Sequence, residues 1–177
     1  HGFFSIPTDH LYAAPILLDY FKDQDLSDTV IVATDAGHVK EAANYAERLR
    51  LPLAFVDKRR ISDNEVETTA VVGEVNDRHA IVFDDEIAAG TSLVATAEIL
   101  REKGVKSIRA GAVHGVLCAQ AVARIEASPV AEVVVTNTVP VPPEKQIGKI
   151  HVLSVAPLFG EAIKRIHSGD SIASLFV

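Results

Sequence analysis

The apolar run Ile81-Val82-Phe83 leads into two adjacent carboxylates, Asp84 and Asp85, and then through Glu86 and Ile87 into a small-residue turn, Ala88-Ala89-Gly90-Thr91-Ser92. The run has the character of a buried strand end. The turn after it carries little side-chain bulk, so backbone amides and the Thr91 and Ser92 hydroxyls can close around an anion at a helix N-terminus. Paired acids beside such a cradle suit vicinal hydroxyls or a divalent cation. One ligand satisfies both halves: a ribose bearing a 5-phosphate, its phosphate in the turn and its 2- and 3-hydroxyls on Asp84 and Asp85. The same residues also read as a strand end with exposed acids followed by a helix cap.

Positioning these groups requires a scaffold, and the chain alternates short β-branched runs with helical patterns. Residues 30–33, 53–56, 80–83, 108–113 and 132–135 read as strands, mostly too continuously apolar for a half-exposed sheet. Helices are expected near 11–22, 37–50, 91–104, 118–127 and 155–168, with a further strand at 150–153. Such alternation implies an α/β fold, a parallel sheet covered by helices on both faces and wound right-handedly. Ligands of these sheets bind beyond the carboxyl ends of the strands, where Asp35, Lys58, Asp84, His114 and Thr136 all fall. Arg60 to Val75 breaks the alternation and reads as a β-hairpin flap or a solvated loop. Pro140-Val141-Pro142-Pro143 is a stiff connection before the last strand. With no repeat and no internal boundary, residues 1–177 read as a single domain.

Composition narrows the function. A 177-residue chain with 48% hydrophobic residues can bury a sizeable core. A net charge of −7 argues against nucleic acid and against an anionic membrane as partners. No apolar run approaches membrane-spanning length and no charged-then-apolar leader precedes the first motif, so a cytoplasmic location is expected. The single cysteine, Cys118, excludes an intramolecular disulfide and a multi-cysteine zinc site. It is expected at a helix start, as a buried small side chain or as a thiol of lowered pKa.

The loop after Phe83 resembles the phosphoribosyl-diphosphate loop of type I phosphoribosyltransferases. Six further segments narrow that likeness to the ribose-phosphate diphosphokinases, or PRPP synthetases. Gly2-Phe3-Phe4-Ser5-Ile6-Pro7-Thr8-Asp9-His10-Leu11-Tyr12-Ala13 resembles the family's GFFDIPVDNLYA segment. Thr34-Asp35-Ala36-Gly37 is similar to its PDAGG turn, Asp57-Lys58-Arg59-Arg60 to its K-x-R segment, and Thr136-Asn137-Thr138-Val139-Pro140 to its TNTIP strand end. Ala112-Val113-His114-Gly115 and the closing Ser171-Ile172-Ala173-Ser174-Leu175-Phe176 match in order and spacing. The likeness begins near the middle of family members about twice this long, so the chain is expected to be their C-terminal half, and a start at His1 agrees with an excised or processed domain.

The resemblance implies transfer of diphosphate from ATP to the 1-hydroxyl of ribose 5-phosphate, chemistry that depends on positioning and charge neutralisation. It assigns the ribose hydroxyls to Asp84 and Asp85 and the 5-phosphate to Ala88, Ala89, Gly90, Thr91 and Ser92. It gives Mg2+ to Asp35, and charge stabilisation on the transferring phosphates to Lys58 and Arg60. ATP would bind mostly through the other half. The family also implies a flap against neighbouring subunits and a homo-oligomer, with the apolar Phe3-Phe4 and Leu175-Phe176-Val177 ends to be covered.

The chain departs from the family at the loop, which commonly reads D-D-x-x-D-T-x-G-T. Ala88 and Ala89 replace its third acid and first threonine, and Thr91 stands where glycine is usual, a place expected to need a glycine-like backbone. One lost charge-assisted hydrogen bond costs about 1.5–3 kcal/mol, so binding is expected to be roughly ten- to a hundredfold weaker. His38 replaces a small residue and reads as a partly exposed histidine at a helix start or as an added cation ligand. Three functions follow in order: the ribose-5-phosphate half of a diphosphokinase, inactive without the ATP-binding half; a non-catalytic regulatory associated protein of the same family; and a type I phosphoribosyltransferase.

Overall fold

The structure, a computed structural model, describes residues 2–59 and 68–176; the side chains of Lys58, Arg59, Thr68, Thr69 and Phe176 fall outside that description. The strands are β1 Thr29–Ala33, β2 Leu53–Arg59, β3 Thr68–Val72, β4 His79–Glu86, β5 Ser107–His114, β6 Val130–Thr136 and β7 Ile150–Leu153. They form one sheet in the order β3-β2-β1-β4-β5-β6-β7, parallel except for the antiparallel β2–β3 pair. That pair runs in register from Phe55 opposite Val72 to Arg59 opposite Thr68, so only β3 falls within the expected 60–75 hairpin and its partner is the core strand β2. Arg60 and the following residues to 67 lie outside the described residues.

The helices are α1 Ala14–Lys22, α2 Val39–Leu49, α3 Thr91–Glu102, α4 Ala121–Ala127 and α5 Ala156–Ser168. Strand side chains alternate between the faces and so build two cores. On one face Val30, Val32, Val82 and Val135 pack with Leu93, Leu100 and Ile125 of α3 and α4. On the other, Ile31, Ile81, Phe83 and Val134 pack with Leu17, Phe21 and Tyr45 of α1 and α2. Phe83 stacks on Tyr45 with centroids 3.8 Å apart, and its ring crosses Gly111 of β5. A Cβ on Gly111 would lie 2.7 Å from that ring, so only glycine lets the aromatic pack flat on the sheet.

Two helix starts and one turn conformation differ from expectation. The first helix starts at Ala14 rather than near residue 11, because Pro15 fits only in a helix's first turn. The fourth starts at Ala121 rather than Cys118, since Leu117 and Ala119 have φ of 46° and 49° and cannot be helical. Leu117 takes the buried place there, and Cys118 is exposed rather than buried. At the phosphate-type turn it is Gly90, with φ of 72°, that adopts the left-handed conformation, while Thr91 is an ordinary first residue of α3. The expected strain at Thr91 is therefore absent.

From β1 the chain crosses to β2 on one side, whereas from β4 it continues through β5, β6 and β7 on the other. The sheet order reverses between β1 and β4. A doubly wound sheet opens a crevice at that point, outside the carboxyl ends of the two strands.

Candidate functional site

Asp84 and Asp85 close β4 on one side of this crevice, and Thr34, Asp35 and His38 follow β1 on the other. Asp35 has extended backbone and caps the 3-10 turn Ala36–His38, its Oδ1 accepting from the Gly37 amide at 2.8 Å and the His38 amide at 3.2 Å. The same oxygen holds His38 Nδ1 at 3.0 Å. This leaves His38 Nε2 facing Asp84 Oδ1 across 3.7 Å. Thr34 donates to the other Asp84 oxygen at 3.4 Å. Among the described residues, His38, Asp84 and Asp85 form the group able to hold a cation, their ligand atoms all within 4.8 Å of one another. Asp35, expected as the metal ligand, lies outside this group and holds His38 through its Oδ1.

Charge crowding perturbs these groups. Burial, reinforced by Asp85, pushes the Asp84 carboxyl up to about 6 despite the pull of His38. Burial alone would lower His38, but the hydrogen bond it donates to Asp35 and the charges of Asp84, Asp35 and Asp85 outweigh it and raise the imidazole above its ordinary value. Burial would likewise raise Asp35, yet its bonds to His38 and to the Gly37 amide hold it below the usual carboxylate range. The crevice thus concentrates negative charge on groups that would gain from a cation.

A hollow of about 250 Å³ runs from His38, Asp84 and Asp85 to Gly90, Thr91 and Ser92 at the start of α3. No side chain among the described residues caps α3, so its first amides remain available to an anion. The turn itself is strapped down. The Leu117 amide donates to Ile87 O at 3.0 Å, the Cys118 amide to Ala88 O at 3.0 Å, and Arg124 Nη1 to Ala89 O at 2.9 Å. Arg124 had no distinguishing signal in the sequence, being one basic residue on a short helix.

The remaining expected site residues divide. The Lys58 backbone pairs with Thr69 in the β2–β3 ladder, and Arg60 lies outside the described residues. His114 bonds Thr138 Oγ1 at 2.8 Å and lines a second hollow of about 210 Å³ with Asp85, Tyr12 and Phe159. Thr136 is buried and donates to Val113 O at 2.7 Å, so it ties β6 to β5 rather than joining the crevice. Asp85 is the residue the two hollows share.

Comparison with known proteins places the chain in a family. Residues 60–177 match the family described as the phosphoribosyl synthetase-associated domain. A ribose-phosphate pyrophosphokinase of Caldanaerobacter subterraneus subsp. tengcongensis is 49% identical over 176 residues, which cover 99% of this chain and 56% of that protein. The structure of phosphoribosylpyrophosphate synthetase from Mycobacterium smegmatis superposes with a TM-score of 0.86 at 35% identity, covering 95% of this chain and 55% of that one. Adenine phosphoribosyl transferase from Trypanosoma brucei, 12% identical over 80% of this chain and 62% of its own with a TM-score of 0.52, shares the fold. No described helix is long and apolar enough to cross a membrane. The chain spans about half the length of the curated relatives it matches, and it belongs to the ribose-phosphate diphosphokinase (PRPP synthetase) family.

Proposed function

We propose that this chain is the ribose-5-phosphate-binding, C-terminal half of a ribose-phosphate diphosphokinase, which passes diphosphate from ATP to the 1-hydroxyl of ribose 5-phosphate to make PRPP for nucleotide biosynthesis. One observation carries the reading: paired carboxylates and an uncapped helix N-terminus line a single hollow at the point where the strand order reverses. The sugar hydroxyls meet Asp84 and Asp85, and the phosphate meets the amides from Ala89 to Ser92 with the Thr91 and Ser92 hydroxyls. Asp35 acts through His38. Lys58 and Arg60 stabilise charge on the transferring phosphates, a role that rests on the sequence resemblance. Asp84 and Asp85 supply the hard oxygen donors that a hydrated Mg2+ accepts, and the ion would neutralise phosphate charge when bound. ATP is held mostly by the half of the relatives that this chain does not span, so the 177-residue chain alone binds sugar phosphate without diphosphoryl transfer.

Ala88 and Ala89 favour a second reading, a non-catalytic regulatory member of the family, because neither offers a polar side chain to the hollow. An amide-resolved NMR titration with ribose 5-phosphate distinguishes the two. The catalytic-half reading expects the largest shifts at residues 84–93. Shifts confined to the hollow lined by Tyr12 and Phe159, or no shifts at millimolar ligand, would overturn it.

A further inference from the structure

His38 gives this crevice a nitrogen donor aimed at its two carboxylates. With Nδ1 engaged by Asp35 at 3.0 Å, Nε2 points toward Asp84 Oδ1 at 3.7 Å. An imidazole nitrogen facing a carboxylate needs a proton or a cation between them, and a metal ion can take the proton's place when Nδ1 keeps its own. Two metal bonds of about 2.1 Å cannot hold their donor atoms more than about 4.2 Å apart. The 3.7 Å separation already meets that limit. The whole His38, Asp84 and Asp85 set lies within 4.8 Å, so closing it on one ion takes a side-chain movement of about half an ångström.

We propose that the crevice binds a first-row transition ion of the Mn2+ or Zn2+ type through His38 Nε2, Asp84 and Asp85, in preference to Mg2+. Mg2+ favours oxygen donors and retains water, whereas an imidazole beside carboxylates suits the later ions, whose affinity for mixed nitrogen and oxygen sites is higher. Asp35 is the positioning residue. A carboxylate on the far nitrogen of a ligating histidine fixes the ring's orientation and raises its basicity. The inference refines the metal chemistry of the site described under Proposed function, but the ion can bind with or without the sugar.

The test uses Mn2+ and Mg2+ as probes on the 177-residue chain. Pulsed electron paramagnetic resonance of bound Mn2+ is expected to show 14N coupling from one imidazole. The coupling is lost in His38→Ala and His38→Gln and retained in His114→Ala. Calorimetry is expected to show Mn2+ binding weakened about tenfold in the His38 variants, with Mg2+ binding changed less than about twofold. Asp35→Asn is expected to weaken Mn2+ and alter the 14N coupling without abolishing it. Mn2+ bound with no 14N coupling, coupling that survives in both His38 variants, or no saturable Mn2+ binding would each overturn the proposal. Ribose 5-phosphate binding in Mg2+ buffer, with no 14N coupling in the Mn2+ sample, would sink this inference and leave the proposed function standing. Nitrogen-coupled Mn2+ with no sugar binding would do the reverse.

Discussion

Asp84, proposed to hold a sugar hydroxyl, works against the stability of the fold. Its folded pKa of about 6 lies above the unfolded value of roughly 3.9, so the native state holds the proton more tightly. Stability from this group therefore falls as pH rises from about 4 to about 6 and stays reduced above. His38, also raised, contributes stability that is complete below its unfolded value and lost as pH rises through its folded one. The two act in the same direction. Chemical denaturation of the metal-free chain is expected to show stability falling between pH 4 and 8. Asp84→Asn should flatten that slope and stabilise the chain by about 1–3 kcal/mol at pH 7.5 while abolishing sugar-phosphate binding. A destabilised Asp84→Asn chain at pH 7.5 would contradict the assigned burial penalty. Tyr45 offers a second case, since its buried hydroxyl finds no hydrogen-bond partner among the described residues. Tyr45→Phe keeps the stack on Phe83 and removes the unpaired group, so a melting measurement should show unchanged or higher stability, by up to about 1 kcal/mol.

The start of α3 is the element on which the proposed anion binding depends. Gly90 holds φ of 72° as the N-cap, and the Val94 amide bonds its carbonyl at 3.0 Å. A side chain there incurs a left-handed penalty of about 1–2 kcal/mol, and the added Cβ would meet Ala121 at ordinary contact distance, so the cost is conformational rather than steric. Gly90→Ala should lower stability by about that amount and weaken ribose 5-phosphate binding, whereas Thr91→Gly should lower stability through helix propensity alone. Elements of this kind were legible where hydrophobic continuity spoke for them: each expected strand overlaps β1, β2, β4, β5, β6 or β7. The misplacements came from local backbone geometry. Nothing in the residue types at Leu117 and Ala119 announced positive φ, because the conformation is imposed by the bonds that strap residues 117 and 118 to residues 87 and 88.

At the scale of the molecule, the sheet's switch point was implied by the alternation of strands and helices, and the Asp84–Ser92 segment named the hollow that forms there. What could not be read was which neighbours would share it. Asp35 and His38 are three residues apart and look interchangeable in sequence, yet the 3-10 turn spends Asp35 on backbone amides and turns His38 toward Asp84. The apolar surface was legible only in part. Phe3 and Phe4 are exposed, and so is a stripe of Phe159, Ile163 and Ile166 along α5 that reads in sequence as an ordinary amphipathic face. Sedimentation velocity is expected to show concentration-dependent self-association, reduced by Ile163→Lys with the sugar-phosphate site intact. A monomer at all concentrations would count against an oligomer built on this face.

The most direct measurement is calorimetric titration of ribose 5-phosphate, with and without divalent cation, into this chain and into its Asp85→Ala variant. Saturable binding that the substitution abolishes is the expected result, and it would show that the Asp84–Ser92 hollow takes the sugar phosphate despite Ala88 and Ala89. Binding of equal strength in both proteins, or none in either at millimolar ligand, would contradict the assignment of this hollow as a ribose 5-phosphate site.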